Sequence, residues 1–511
     1  MRVTNQMMSN NALSNINKNK IALSKLEEQY STNKKIQKPS DDPVVAVRAL
    51  KLRKNLSELN QYYEKNIPDA KSWMEITESA LKNVTDICTS INGYANQGAT
   101  DTLTADNRAS VLKNIQQLVS QIYEEGNSNC AGRYVFTGYK TDTGLLFDQD
   151  TNNKKYTITQ EFKGTDISSS ERVIGGYTVD DYTNPAAGTT PSVGTFSTAP
   201  VSQSVYTMNL GYNDLDGTAG SVKIGYTYKN AGGTDVTVNI DPTKINIVSV
   251  SDKNAYSAAD DGINFIKETG ELVIGKTVHE TMKLATDIKV DYQKSEFSKG
   301  DVKPEMYYDC VMEQHVGAVA STAVEKTITY EKKSQNISYD INFNQSLVVN
   351  TEASDAIPMD LKRQVDIVAK AIQDVDKVES DITEVKKMLE DTSTTDAQKK
   401  VLEALQSQLE TELSLKTSIM QKEFGNTLTA TSNQQQAANL AVADLGSRYV
   451  RLEMTEERLS TQQTDFEDLL STNEDADMVE TIVKYNSQST IYNASLSAAA
   501  KIAKNSLLDF I

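Results

Sequence analysis

The 511-residue chain carries 52 Lys and Arg against 70 Asp and Glu, a formal charge of −18. Such a surface repels phosphate backbones and anionic headgroups, which argues against nucleic-acid partners and membrane-surface binding. No run of about 18 apolar residues is present, so no membrane-inserted segment is expected, while the length suffices for several domains with real cores.

Glycine divides the sequence. None precedes Gly93, 17 of the 24 lie between 141 and 355, and only Gly425 and Gly446 follow residue 350. Glycine weakens helix interiors and serves turns. The chain therefore reads as mainly α, with a β-rich domain inserted between two helical arms.

The first 19 residues are polar and lack the apolar core of a secretory signal peptide. Leu13, Ile16, Leu23 and Tyr30 then make a short amphipathic segment. Ser40 and Asp41 ahead of Pro43 predict a capped helix start with proline in the first turn. Val45, Ala49, Leu52, Leu56, Leu59 and Tyr63 step by four and three, and the phase resumes from Ala70 and Trp73 to Ile91. Pro68 lies inside this stripe and is expected to kink the helix or start a new one. A further helix is predicted over 104–125, with Val111, Ile115, Leu118 and Ile122 on its seam and Gly126 at its end.

In the middle, Val222, Ile224, Tyr226 and Tyr228 alternate with polar residues, as do Val236, Val238 and Ile240. Gly232 and Gly233 between them predict a hairpin turn. Ile337, Tyr339, Ile341 and Phe343 give another alternating strand, and 183–202 reads as a loop rich in Pro, Gly, Thr and Ala. The C-terminal arm mirrors the first. Leu361, Val365, Val368, Ile372, Val375 and Ile382 define one helix, and 391–396 a turn before Val401, Leu405 and Leu409. Ala438, Val442, Leu445, Tyr449, Leu452, Leu459, Phe466 and Leu470 continue the pattern, and 473–477 resets the chain. The last helix places Met478, Ile482, Tyr485, Tyr492, Leu496, Ala499 and Ala503 on one face. Each terminal segment is thinly apolar and, paired, they make a marginal unit. Neighbouring subunits would complete their burial, so these residues and Leu13, Ile16, Leu23 and Tyr30 are the candidate subunit interface.

Two motifs suggest chemistry. Residues 270–277 satisfy the GxxxxGK[ST] pattern of a phosphate-binding loop, but its Leu-Val-Ile interior prefers a strand and Glu271 adds negative charge. A strand after a turn at Thr269 and Gly270 is the better reading. His279 and Glu280 begin an HExxH-like stretch, yet Lys283 occupies the position of the second histidine, and His315 stands alone. Cys88, Cys130 and Cys310 are scattered and read as packing residues, without CxxC spacing for zinc. No catalytic residue, metal site or cofactor is expected.

Residues 38–50, with Pro39, Ser40, Asp41, Asp42, Pro43, Arg48 and Leu50, resemble the PSDDP-x-x-A-x-RA-L signature of the flagellin-like hook–filament junction proteins, hook-associated protein 3. Residues 131–138 are similar to the strand leaving that family's N-terminal helices, and 445–448 to the start of its C-terminal long helix. Residues 489–496 and 506–510 resemble its terminal helix. The resemblance implies three parts. Terminal helices, 1–35 with 478–511, form the inner core of an axial tube. A long-helix bundle, 36–140 with 356–477, surrounds it, and the insert 141–355 faces outward. It also implies self-assembly in a ring or helix, with hook-associated protein 1 on the hook side and flagellin on the filament side. Export through the flagellar type III apparatus without a cleaved signal, held beforehand by an export chaperone, is implied too. Flagellin itself shares this layout, although flagellins usually carry a DDAAG-like stretch where this chain has Asp41, Asp42, Pro43 and Val44.

Overall fold

A computed structural model describes the chain apart from residues 1–4, 101–102, 104, 186–188, 231, 320–322 and 509–511, and side chains up to residue 501. Seven long helices account for both arms. They are α1 (Asn5–Thr32), α2 (Pro43–Gln61), α3 (Ile67–Gly98), α4 (Ala105–Glu125), α5 (Asp360–Glu390), α6 (Asp396–Glu474) and α7 (Met478–Leu508). The start of α2 has the expected proline in its first turn, but the cap is Asp42 rather than Ser40 or Asp41. Pro43 occupies the first turn, where a missing N–H costs nothing, and the Asp42 carboxylate accepts from the Val44 and Val45 amides. Asp41 ties the preceding turn by accepting from the Gln37 and Lys38 amides, and those bonds lower its pKa.

Pro68 is the second residue of α3, so a new helical segment begins there as expected. A π-helical turn, Tyr62–Asn66, joins α2 to α3, and the Ile67 amide reaches back to the Tyr62 carbonyl. Pro68 has no N–H for the carbonyl one turn earlier, and the wider turn just before it accommodates that mismatch without a chain reversal. The family's long C-terminal helix was expected to start at 445–448, and here the structure differs. Those residues lie inside α6, which runs unbroken for 79 residues, about 120 Å at the usual rise. Gly425 and Gly446 sit within it with open space at their Cβ positions. Each costs only about 1 kcal/mol relative to alanine, too little to interrupt a long helix.

Two compact units are formed. One comprises Met1–Lys71, Tyr339–Leu347 and Tyr449–Ile511, the other Ser72–Ser338 and Val348–Arg448. In the first, α2 packs on the C-terminal quarter of α6. Asn473 donates to the Val45 carbonyl at 3.2 Å, Arg53 pairs with Glu474, and Gln463 donates to Asn60 at 3.1 Å. Ala46, Ala49 and Leu59 of α2 and Leu452 and Leu459 of α6 are buried there. The alternating strand predicted at Ile337–Phe343 exists as Ser338–Asn342, paired with Gln345–Val348. It groups with this helical unit rather than with the β-rich middle. Phe343 meets Tyr62 edge-on at 5.4 Å, and Asn66 donates to the Asp340 carbonyl at 2.7 Å.

The second unit holds the largest core. Trp73, Met74, Leu81, Val84 and Ile91 of α3 are fully buried, and the predicted seam residues of α5 from Leu361 to Ile382 are buried too. Asp391 makes the expected bend between α5 and α6 by accepting from Ser393. Residues 131–138, likened to a strand, give a short ladder of Asn129–Cys130 with Arg133–Tyr134, turning through Ala131 and Gly132 at positive φ. The middle folds as two sheets. Their strands are β1 (Lys154–Phe162), β2 (Ser168–Ile174), β3 (Val201–Asn209), β4 (Lys223–Lys229), β5 (Asp235–Asn239), β6 (Ile245–Val248), β7 (Ile263–Ile266), β8 (Glu271–Ile274), β9 (Ala285–Lys294), β10 (Asp309–His315) and β11 (Val324–Tyr330). One sheet is antiparallel in the order β11-β10-β1-β9-β4-β5, and the other has the order β2-β3-β8-β7-β6 with a parallel β6–β7 pair. The predicted hairpin is β4–β5, with Tyr226 opposite Val238 and Gly233 at φ 77°.

Candidate assembly surface

Helices α1 and α7 pair along their lengths. Tyr30 stacks on Tyr485 with centroids 6.3 Å apart, Asn19 donates to Ser495 at 3.3 Å, and Gln488 donates to the Asn19 side chain at 3.4 Å. The pair is closed at one end by backbone. The Lys35 amide donates to the Glu474 carbonyl at 2.8 Å and the Ala476 amide to the Asn33 carbonyl at 3.0 Å. Lys34 bridges to Asp475 at 2.5 Å, and that bond holds the Asp475 carboxyl below its ordinary range. Asn33 takes the left-handed φ of 59° that lets the chain leave α1 and enter this clasp.

The eleven residues expected at the interface do not share one fate. Ile16, Leu23, Met478, Tyr485, Tyr492 and Ala499 are half-buried. Leu13, Ile482 and Leu496 stay exposed, and Tyr30 is half exposed beside its stacking partner. The Ala503 side chain lies outside the described residues. The pairing with α1 covers only part of the apolar face expected on α7. The side half-buried in the pairing includes polar Gln488 and Ser495, whereas Ile482 and Leu496 stand off it. Sequence reasoning also missed Met7, Ile21, Val479, Val483 and Ile491. Ile21 is 70% and Val479 75% exposed, and with the others they add to the apolar surface of the pair. They fall outside the chosen seam, and counting apolar residues on every side of each helix would have found them.

The signature residues form the turn and first turns of α2. Asp42 caps the helix and Asp41 ties the turn before it, while Arg48 and Leu50 are exposed, Leu50 to 61%. The two chemical motifs have structural explanations. Gly270 turns at φ 67°, and β8 follows as predicted, all four of its residues buried. Glu271 there contacts Arg172 at 2.9 Å and accepts from Tyr256 and Thr269. Burial opposes its ionisation, but Arg172 and these donors outweigh that and hold the carboxyl below its ordinary range. His279 lies flat on Tyr206 at 3.5 Å, and Lys283 pairs with Glu280. Burial and Lys283 push the His279 pKa down. Cys88 and Cys310 are buried, and burial pushes each thiol up to about 12. Among the described residues no group of three His, Cys, Asp or Glu is placed to hold a metal. No helix of the described residues is long and apolar enough to cross a membrane.

A family model described as the bacterial flagellin N-terminal helical region matches residues 3–141, and the flagellin C-terminal helical region matches 437–511. Both ends of the chain are thus similar to the helical regions of bacterial flagellins. Among its relatives, flagellar hook-associated protein 3 of Salmonella typhimurium is 31% identical over 35% of this chain and 55% of its own length. A flagellin of Clostridium tyrobutyricum is 30% identical over 25% of this chain and 34% of its own. The chain thus spans about half the length of the first relative, at 55%. A solved structure of flagellar hook-associated protein 3 from Legionella pneumophila aligns at 11% identity over 82% of this chain and 97% of that one. Its TM-score is 0.29, too low to carry a fold argument.

Proposed function

We propose that this chain is a flagellin-family structural subunit of the bacterial flagellum that joins hook to filament and assembles through α1 and α7. The observation that carries the reading is the apolar surface the α1–α7 pair leaves in water, with Ile21, Val479 and Val483 each more than 60% exposed. Two helices in water leave such residues uncovered, and further copies would cover them. The subunit interface is then Leu13, Ile16, Leu23 and Tyr30 with the apolar residues of α7, extended to Ile21, Val479, Val483 and Ile491. Residues 1–35 and 478–511 form the inner polymerisation segment, 36–140 with 356–477 the bundle around it, and 141–355 the outward-facing domain.

The partners are further copies of this chain, hook-associated protein 1 on the hook side and flagellin on the filament side. A chaperone holds the chain before export through the flagellar type III apparatus. The relatives named flagellar hook-associated protein 3 favour the junction role. Flagellin is the second reading, favoured by the similarity to flagellins at 28–30% identity. Fluorescent labelling of flagella separates them. A spot at the distal end of the hook supports the junction role, and label along the filament overturns it in favour of flagellin. The structural reading also predicts that zinc analysis and nucleotide titration of the full chain find neither ligand; stoichiometric binding of either would overturn it.

A further inference from the structure

The unit containing the α1–α7 pair also carries two oppositely charged faces on neighbouring helices. Helix α2 has four basic residues, Arg48, Lys51, Arg53 and Lys54, against the single acid Glu58. From residue 453 to 474, α6 carries seven acidic residues against Arg458 alone. One pair of these charges is used within the chain, Arg53 with Glu474. Glu456 pairs instead with Lys71 at 3.9 Å, while Lys51 and Lys54 on α2 and Glu457, Asp465 and Asp468 on α6 are exposed.

On α2, Ala46, Ala49 and Leu59 are buried, and the opposite side presents Val44, Val47, Lys51 and Lys54. Val44 is 78% and Val47 54% exposed, and Lys54 pairs only along its own helix, with Glu58 at 3.4 Å. On α6 the buried side is Leu452, Thr455 and Leu459, and the opposite side presents Val450, Met454, Glu457, Asp465 and Asp468. Met454 is 68% exposed, and among the described residues Glu457, Asp465 and Asp468 make no ion pair. Each face therefore combines two exposed apolar side chains with a cluster of one charge sign. They match each other in chemistry, while neither matches itself.

We infer that the outer face of α2 docks on the outer face of α6 of a second copy of this chain, so that subunits associate through unlike surfaces. Each face repels its own copy, and because the two lie on opposite sides of the α2–α6 packing, one contact engages a single face of each subunit. A pairing of unlike faces leaves one free face of each kind and propagates into a ring or helix. This contact rests on the assembly reading above but involves residues apart from α1 and α7.

Sedimentation of the full-length chain over a concentration series at low salt tests it. Lys51→Glu with Lys54→Glu makes both faces acidic, and Asp465→Lys with Asp468→Lys makes both basic. Each variant alone should lose self-association by about tenfold or more, since like charges then oppose. Mixing the two variants should restore it, because acidic and basic faces alternate again. The fourfold variant in one chain should also recover, and added salt should weaken parent association. Circular dichroism confirms that each variant folds. A parent that stays monomeric, folded variants that associate like the parent, or a mixture that stays apart would each overturn the inference. Variants that self-associate normally yet fail to enter flagella would assign the faces to another protein and overturn it too. A chain lacking 478–511 separates the two ideas. If it associates as well as the parent while the charge effects persist, the role of α7 fails and this contact stands. If it loses association while the charge variants behave as the parent, the reverse holds.

Discussion

Replacing Arg172 with Met tests whether the loop-like stretch 270–277 is structural. Arg172 is largely buried and contacts Glu271 at 2.9 Å and Glu423 at 3.4 Å. Glu271 is 2% and Glu423 5% exposed. Methionine fills much of the same volume but strands two carboxylates away from water. Breaking a buried pair by removing one partner costs about 3–5 kcal/mol. Glu423 keeps donors from Gln364 at 3.0 Å and Asn426 at 2.9 Å, and Glu271 keeps Tyr256 at 2.8 Å, so the lower end, about 3 kcal/mol, is expected. Trp73, the only tryptophan and fully buried in the same unit, reports unfolding in urea by fluorescence. The midpoint of that transition should fall, and Arg172→Met with Glu271→Leu should recover part of the loss because no charge is then stranded at Glu271. The pH dependence has a defined sign. The native carboxyl of Glu271 lies below its unfolded value, so its contribution is present above the ordinary glutamate range and is lost as pH falls through the native value. A loss below about 1 kcal/mol for Arg172→Met would refute the reasoning, as would a midpoint difference between parent and variant that does not shrink in acid.

Truncation of 478–511 should leave a folded chain, judged by circular dichroism and Trp73 fluorescence, that fails to incorporate into flagella; normal incorporation refutes the role of α7. Leu496→Asp, 40% exposed in the single chain, should fold normally and block incorporation by placing a charge in a subunit contact. Asp42→Ala removes the acceptor for the Val44 and Val45 amides and should cost about 1 kcal/mol, read as faster amide exchange in the first turn of α2. Cys88 and Cys310, with thiols pushed up to about 12 by burial, should stay unreactive to thiol reagents at neutral pH until urea unfolds the chain.

Where a helix packs on one side only, its sequence was readable. The stripes of α3 and α5 from Ala70 to Ile91 and from Leu361 to Ile382 are the buried sides observed, because one core on one side imposes one period. Alternation likewise placed β4 and β5, whose turn needs the positive φ that Gly233 supplies. Some misses come from long-range packing. The strand at Ser338–Asn342 has the right local pattern, but only contacts with Tyr62 and Asn66 determine that it joins the helical unit. The helix start placed at 445–448 rested on resemblance rather than on a local break, and α6 runs through it and through Gly425 and Gly446. No sequence signal paired Arg172 with Glu271, which are almost a hundred residues apart.

The same argument explains why the candidate interface was only partly legible. A period of 3.6 identifies a helix that buries one side, and α7 is not that kind of helix. Tyr485 and Tyr492 are half-buried on the side of the pairing, while Val479, Ile482, Val483, Ile491 and Leu496 are distributed over the rest of its circumference. Apolar residues all round a helix blur any single stripe, so α7 looks weakly amphipathic although it is not weakly apolar. A helix that buries one side inside its own subunit and others against several neighbours is expected to have this pattern. The absence of one dominant stripe is thus the physical trace of assembly on more than one side, and it is what separates α7 from α5, whose outer surface is left polar.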